Sequence, residues 1–282
     1  MTDLANKTFI VTGANTGIGK ITAKELARRG AHVILACRSK SKTDPVIDEI
    51  KRDTGNDKVE FVALDLSDLA SVRSCANELL ARELPIHGLI NNGGLAGKRG
   101  LTKDGFELAF GTNHLGHYLF TRLLLDRIKE AGTARIVNVS SRSHYRAKGI
   151  DWSKLKRPTK TFTAVDEYSV SKLSNVLFTK ELARRLEGTG VTTYAVHPGV
   201  VATEIWRRVP RPFDWVIKKF MITPEEGAQA SLVCATSPAL AGDTGKYYDV
   251  GGKERRPSKL ADDTELAKTL WTRSAEWTGL PA

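Results

Sequence analysis

The stretch "KTFIVTGANTGIGKITAKELARRG" (7–30) limits the fold more than any other part of this 282-residue chain. Its first residues are β-branched and aromatic, and Gly13 stops them, as at the end of a strand. After the turn, Ile18, Ile21 and Leu26 fall on one helical face, and Gly30 suits the helix C-terminus. A strand that feeds a helix through so few residues points to an α/β fold. Gly13 permits a tight turn. Gly17 and Gly19 let backbone approach a pyrophosphate and let the helix pack closely on the sheet. The helix N-terminus adds N–H donors and partial positive charge. The plainer alternative is that the glycines only shape a turn.

The pattern repeats along the chain. Further strands are expected at "AHVILACR" (31–38), "VEFVALDL" (59–66), "IHGLINN" (86–92), "ARIVNVSS" (134–141), "TTYAVHPG" (192–199) and "GKYYDV" (245–250), about seven in all. Helices are expected near 44–53, 68–82, 104–130, 165–187, 224–236 and 263–277. Alternating strands and helices predict a Rossmann-type, doubly wound, parallel sheet with helices on both faces. "RIVNV" is apolar on both faces, as a doubly covered strand should be. No repeat or long linker divides the chain, so a single domain spanning 1–282 is expected.

Composition excludes several classes. No apolar run is long enough to span a bilayer, and "MTDLANKTFI" does not read as a secretory leader. Cys37, Cys75 and Cys234 lack metal or disulfide spacing, which fits core packing in a reducing, cytoplasmic setting. No metal site is expected. The net charge of +11 suits a phosphorylated ligand or an anionic membrane surface. Nucleic acid is not expected, since no recognition signature accompanies the charge.

The second strand ends in Cys37-Arg38. A ribose with a free 2′-OH usually meets an acid here, whereas arginine clamps a phosphate. NADP(H) is therefore favoured, the alternative being that Arg38 only caps the sheet surface. Asp65 and Leu66 end the third strand, placed to border an adenine ring. Tyr168 and Lys172, at i and i+4, share a helix face. A nearby ammonium favours phenolate, and Ser141 can hydrogen-bond a substrate oxygen. Bringing a phenol from about 10 toward 7 takes about 4 kcal/mol, more than one exposed ion pair supplies. Lys172, Ser141 and a bound cofactor must therefore converge.

"TGANTGIG", Asp65, "NNGG" (91–94), Asn113, "VSS" (139–141), "YSVSK" (168–172) and "HPGVVAT" (197–203) occur in this order over nearly the whole chain. They resemble the motifs of the short-chain dehydrogenase/reductase family. The resemblance implies Tyr168 as general acid/base, Lys172 lowering its pKa and holding the nicotinamide ribose, Ser141 positioning the substrate oxygen, and Asn113 holding a water of the proton relay. It implies cofactor contacts from Gly13, Asn15, Thr16, Gly17, Ile18, Gly19, Asn92 and Gly93, and from Pro198, Gly199, Val201 and Thr203 at the nicotinamide end. Gly93 departs from the alanine usual there. The Ser141–Tyr168 spacing is longer than usual.

That insertion, with "ILACRSK", "FGTNHLGHYLFT", "SNVLFTKELARRLEGTGVTTYAVHPGVVATE" and "LWTRSAEWTGL", resembles retinol dehydrogenases and dehydrogenase/reductase family member 13. The resemblance implies NADP(H)-dependent interconversion of a lipophilic alcohol and its aldehyde or ketone, such as retinal or a medium-chain aldehyde. Phe213, Val216, Ile217, Phe220 and Met221 fall at helical spacing. They suit either a helix on its own core or a substrate flap (204–224), with Phe213 and Phe220 touching substrate. Peripheral membrane contact and homo-oligomerisation stay open. A C-terminal tail near 253–282 follows. A hydrolase reading fails because "NVSSRS" is not a nucleophile elbow. A nucleotide-binding sensor with little turnover is the alternative to an enzyme.

Overall fold

The Thr8–Thr12 strand is fully buried and alternates strictly between two cores. Phe9 and Val11 join Leu26, Val33 and Leu35 on one face, while Ile10 joins Ile34, Val62 and Leu89 on the other. Only a sheet covered on both sides gives such a strand two apolar environments. The computed structural model describes residues 3–199 and 222–282. Seven parallel strands form the sheet: β1 (Thr8–Thr12), β2 (His32–Cys37), β3 (Val59–Ala63), β4 (Gly88–Asn91), β5 (Ala134–Val139), β6 (Val191–Val196) and β7 (Lys246–Asp249). An eighth, β8 (Lys253–Glu254), pairs antiparallel with β7. Eight strands thus replace the seven expected. Two exposed charged residues give no apolar pattern from which a strand is read.

The order β3-β2-β1-β4-β5-β6-β7-β8 reverses direction between β1 and β4. Ligands of doubly wound sheets bind at such a reversal, beyond the carboxyl ends of the strands. The helices are α1 (Gly17–Arg28), α2 (Lys40–Thr54), α3 (Leu69–Ala81), α4 (Leu108–Phe110), α5 (Gly116–Glu130), α6 (Val165–Arg185), α7 (Pro224–Thr236) and α8 (Thr264–Thr278). Helix α2 begins a turn earlier than expected and carries Pro45 inside it. The expected helix over 104–130 is in fact three pieces. Short α4 and long α5 flank a π-helical turn, Gly111–Leu115, which the apolar periodicity does not reveal. The C-terminal tail forms β8, a 3-10 turn and α8.

Helix α6 is polar in sequence yet largely buried. Its hydroxyls bond back to carbonyls one turn earlier, Ser169 to Val165, Ser174 to Val170 and Thr179 to Asn175, so burial leaves them satisfied. No helix among the described residues is long and apolar enough to cross a membrane. The flap residues Phe213, Val216, Ile217, Phe220 and Met221 lie outside the described residues.

Gly116 shows how tightly α5 is docked. A Cβ there would lie 2.5 Å from the carbonyl oxygen of Leu66, and that backbone cannot yield cheaply. Gly116→Ala should therefore lower unfolding free energy by about 2 kcal/mol. Urea titration checks this, and unchanged stability would show that the loop after β3 yields.

Candidate active site

The glycine turn after β1 is built around positions no other residue fills easily. Gly13 and Gly17 have φ of 63° and 55°, in the left-handed region. A Cβ on Gly13 would sit 2.7 Å from Gly93 Cα, and one on Gly19 would sit 2.5 Å from Asn92 Nδ2. Thr16, the N-cap of α1, makes no side-chain capping bond. The first N–H groups of α1 thus remain available as donors. Asn15, Thr16 and Ile18 border this cradle, which has the donor set and backbone clearance for a diphosphate.

At the end of β2 the Cys37 thiol accepts the Ala14 N–H at 3.1 Å, and burial pushes its pKa up. It braces the glycine turn from β2. Arg38 is exposed and makes no ion pair with any described residue. Beside it Ser39 caps α2 without a side-chain bond to the helix N–H groups. Asp65 turns one carboxylate oxygen to the Ser67 N–H and hydroxyl, at 2.9 and 2.6 Å. Leu66 is buried, and its side chain fills the space a Cβ on Gly93 would enter, at 2.8 Å.

Asn92 and Gly93 act here through the backbone. Both N–H groups donate to the Thr12 hydroxyl, at 2.9 and 2.8 Å, and the Asn92 amide donates to the Thr12 carbonyl at 2.9 Å. The Thr12 hydroxyl lies 2.9 Å from His117 Nε2, and His117 Nδ1 lies 3.0 Å from the Asn113 carbonyl oxygen. Burial lowers the His117 pKa to about 4, so the ring is neutral. A carbonyl can only accept, so Nδ1–H donates to Asn113 and Nε2 accepts from Thr12. His117 is assigned no role from sequence alone, because this link joins residues 105 apart in the chain. The available signal was that His117 follows Asn113 by four residues.

Asn113 sits in the π-helical turn, fully buried. Its side chain accepts the Leu95 N–H at 2.9 Å and donates to the Leu95 carbonyl and the Ser171 hydroxyl, each at 3.0 Å. The amide is therefore committed to protein partners. Any water held at Asn113 would have to use its main-chain carbonyl, which has a second lone pair. π-Turns of this kind recur at functional sites.

Beyond β5, Ser141, Tyr168 and Lys172 come together. Lys172 is buried, donates to the Val139 carbonyl at 2.9 Å and lies 5.6 Å from the Tyr168 ring centroid. Burial brings its pKa down to about 8. Burial also raises the pKa of Tyr168, and a hydrogen bond from Ser141 offsets part of that rise. Lys172 is not among the causes of this shift, in keeping with the expectation that more than one ion pair is needed to lower the phenol. Desolvation is the larger of the two effects on the phenol. Ser141 is itself held: it accepts the Ser143 N–H at 3.1 Å, and His144 Nδ1–H donates to its carbonyl at 2.6 Å. His144 Nε2 takes the Ser258 N–H at 3.1 Å, and Arg142 pairs with Asp249 at 2.7 Å. Pro198 is buried. Gly199 has φ 96°, and a Cβ there would strike Ile222 at 2.3 Å. Val201 and Thr203 lie outside the described residues. A Cβ on exposed Gly94 would lie 3.0 Å from Asn113 Oδ1 and 3.8 Å from Lys172 Nζ, so a bare backbone floor leads from the cradle to the lysine.

Three histidines make this region acid-sensitive. Burial lowers His114 to about 3 and His117 and His197 each to about 4. Below about 6.5 the unfolded chain takes up protons that the folded chain refuses until near pH 4, so stability falls as pH drops through that window. Each site contributes at most about 1.4 kcal/mol per pH unit. Chemical denaturation at pH 7, 6 and 5 should show this decline, and His117→Gln should make it shallower. Stability that stays level from pH 7 to 5 would mean that these rings are protonated when folded.

The sequence profile of the short chain dehydrogenase family matches residues 7–154. Human retinol dehydrogenase 13 is 44% identical over 291 residues, spanning 99% of this chain and 86% of that protein. Bovine dehydrogenase/reductase SDR family member 13 is 42% identical over 289 residues, spanning 99% of this chain and 75% of that protein. The crystal structure of an uncharacterised protein from Mycobacterium Paratuberculosis superposes with a TM-score of 0.79 at 34% identity, covering 100% of this chain and 97% of that one. Two further solved structures cover 89% of this chain. One is a 3-ketoacyl-(acyl-carrier-protein) reductase from Brucella melitensis complexed with NADH (28% identity, TM-score 0.68, 99% of that chain). The other is a gluconate 5-dehydrogenase from Beutenbergia cavernae with bound NADP (27% identity, TM-score 0.72, 97% of that chain). These likenesses run over nearly the whole chain, whose glycine cradle lies at the sheet reversal with Ser141, Tyr168 and Lys172 beyond β5, and the chain belongs to the short-chain dehydrogenase/reductase family of nicotinamide-dependent oxidoreductases.

Proposed function

We propose that the chain is an NADP(H)-dependent oxidoreductase that interconverts a lipophilic alcohol and its aldehyde or ketone. The observation that carries this is the meeting of Ser141, Tyr168 and Lys172 at the end of the glycine-floored path from the cradle. The bound nicotinamide supplies or accepts the hydride. The chain's own residues orient the substrate oxygen and move one proton. On this reading the Ser141 hydroxyl, which otherwise donates to Ser143 Oγ at 3.3 Å, turns to donate to that oxygen. The Tyr168 phenol, protonated at neutral pH, gives its proton during reduction and takes one back during oxidation. Lys172, tied to Val139 by one of its three N–H donors, keeps two for the ribose and the relay. Oxidation needs Tyr168 as phenolate, so it depends on positive charge gathered beside the phenol.

Preference for NADP(H) is supported by Arg38, free of described ion pairs beside the open N-terminus of α2, and by the lack of an acidic residue in Cys37-Arg38 at the end of β2, where a 2′-hydroxyl is usually read. The lipophilic substrate class is supported by the relatives named as retinol dehydrogenases.

Tyr168→Phe should lose at least about a thousandfold in kcat with retinal or decanal, within the range that general acid/base catalysis contributes, while NADPH fluorescence titration shows unchanged binding. Near-normal turnover would remove Tyr168 from the proton transfer. Lys172→Ala should lower kcat and weaken NADPH together, because the lysine serves both.

Arg38→Asp should weaken NADPH by roughly tenfold or more, given the strength of charge-assisted bonds to phosphate, and shift preference toward NADH. Equal kinetics with both cofactors before and after the change would assign the choice elsewhere.

A further inference from the structure

Large apolar side chains that are exposed among the described residues are Leu101, Tyr145, Phe162 and Val165, at 42%, 40%, 89% and 38%. Tyr145 has its hydroxyl bonded to the Arg256 carbonyl. The other three lie on two segments that meet, since Thr159 and Gly100 exchange backbone and side-chain hydrogen bonds at 3.2–3.3 Å. The same segments, 98–103 and 157–165, hold five lysines and arginines and no acid, and of these Lys103 is paired with Asp68. Lys98, Arg99, Arg157 and Lys160 are exposed and form no ion pair with any described residue.

This surface is held in place. Buried Glu107 bonds the Thr159 hydroxyl and the Phe110 N–H. Glu167 accepts the Lys160 and Thr161 N–H groups, each at 3.0 Å. With both ends fastened, Phe162 stands 89% exposed two residues after Lys160. The bordering acids Asp104 and Glu167 are turned to backbone donors, while Asp166 stands at the edge. A single exposed aromatic residue needs no explanation. Three exposed apolar side chains framed by unpaired cations have the composition of an interfacial binding surface, in which apolar groups enter the headgroup boundary and cations meet lipid phosphates.

We infer that the joint of segments 98–103 and 157–165 docks on an anionic phospholipid bilayer. Charge selects this occupant over a second copy of the chain, whose matching patch would be equally basic. Val165 opens α6 one helical turn before Tyr168, so docking here sets the mouth of the site against the phase in which a lipophilic carbonyl dissolves. The binding claim goes beyond the carbonyl reading and does not depend on turnover.

The test is co-sedimentation of the full chain with phosphatidylcholine vesicles, with and without about a third phosphatidylserine. Binding is expected to the anionic vesicles, to fall steeply at 0.5 M NaCl, where screening shortens the reach of charge, and to be weak on neutral ones. Arg157→Glu with Lys160→Glu should weaken it by roughly tenfold or more. Phe162→Ser with Leu101→Ser should weaken it by roughly tenfold. All four sites are on the surface, and unchanged NADPH binding certifies each variant as folded. Wild-type protein that stays in the supernatant overturns the proposal and leaves an acidic protein as the fitting partner. Folded variants that bind like wild type overturn it as well. Loss of vesicle binding with unchanged turnover of a soluble aldehyde supports it, and wild-type chain that binds anionic vesicles yet turns over no aldehyde also supports it and counts only against the catalytic reading.

Discussion

The Thr12 hydroxyl is where the site is tied to the sheet. It accepts two N–H groups from the end of β4 and faces His117, which in turn holds the carbonyl of the π-turn residue Asn113. One oxygen thereby fixes the two strands flanking the sheet reversal and the turn that floors the catalytic side. The close approaches at Gly13, Gly19 and Gly93 follow from that pinning. A looser joint would admit side chains and would no longer present bare backbone to a diphosphate. The neutrality of His117 matters here. As an imidazolium it would offer two donors, and Thr12, already accepting two bonds, would have to turn its proton elsewhere.

Burial sets the chemistry of the catalytic cluster. It pushes Lys172 down and Tyr168 up, which moves both toward their neutral forms. On the proposed reading, a phenol kept protonated in this way is suited to donate its proton in carbonyl reduction. The reverse reaction needs about 1.4 kcal/mol for each unit by which the phenol is lowered. The charge of an oxidised cofactor, together with the Ser141 bond, is the source of that stabilisation on this account.

Much of this was legible in the sequence because it is local. Gly13, Gly17 and Gly19 mark a turn by spacing alone, Tyr168 and Lys172 share a helix face by four-residue spacing, and the strands of a doubly covered sheet are continuous apolar runs. What stayed hidden depends on contacts distant in sequence or on residues without apolar pattern. The break at Gly111–Leu115 lies inside a run that reads as one helix. The Thr12–His117 bond spans more than a hundred residues. Two-residue β8 exists only through its pairing with β7. The thiol of Cys37 looked like core, and its task as acceptor for Ala14 appears only once β1 and β2 are side by side. Val201, Thr203, Phe213 and Phe220, expected at the site from the sequence, lie outside the described residues.

The central claim is that Tyr168 rests as a protonated phenol and is converted to an effective base by the charge that a bound cofactor brings. Ultraviolet difference titration of wild type against Tyr168→Phe isolates this one phenol among the six tyrosines. Without ligand it should ionise above about 10, the ordinary value for tyrosine. With saturating NADP+ its midpoint should fall by at least about two units, in keeping with an added cation close by. A midpoint that is already near neutral without ligand, or one that NADP+ leaves unmoved, would contradict the account.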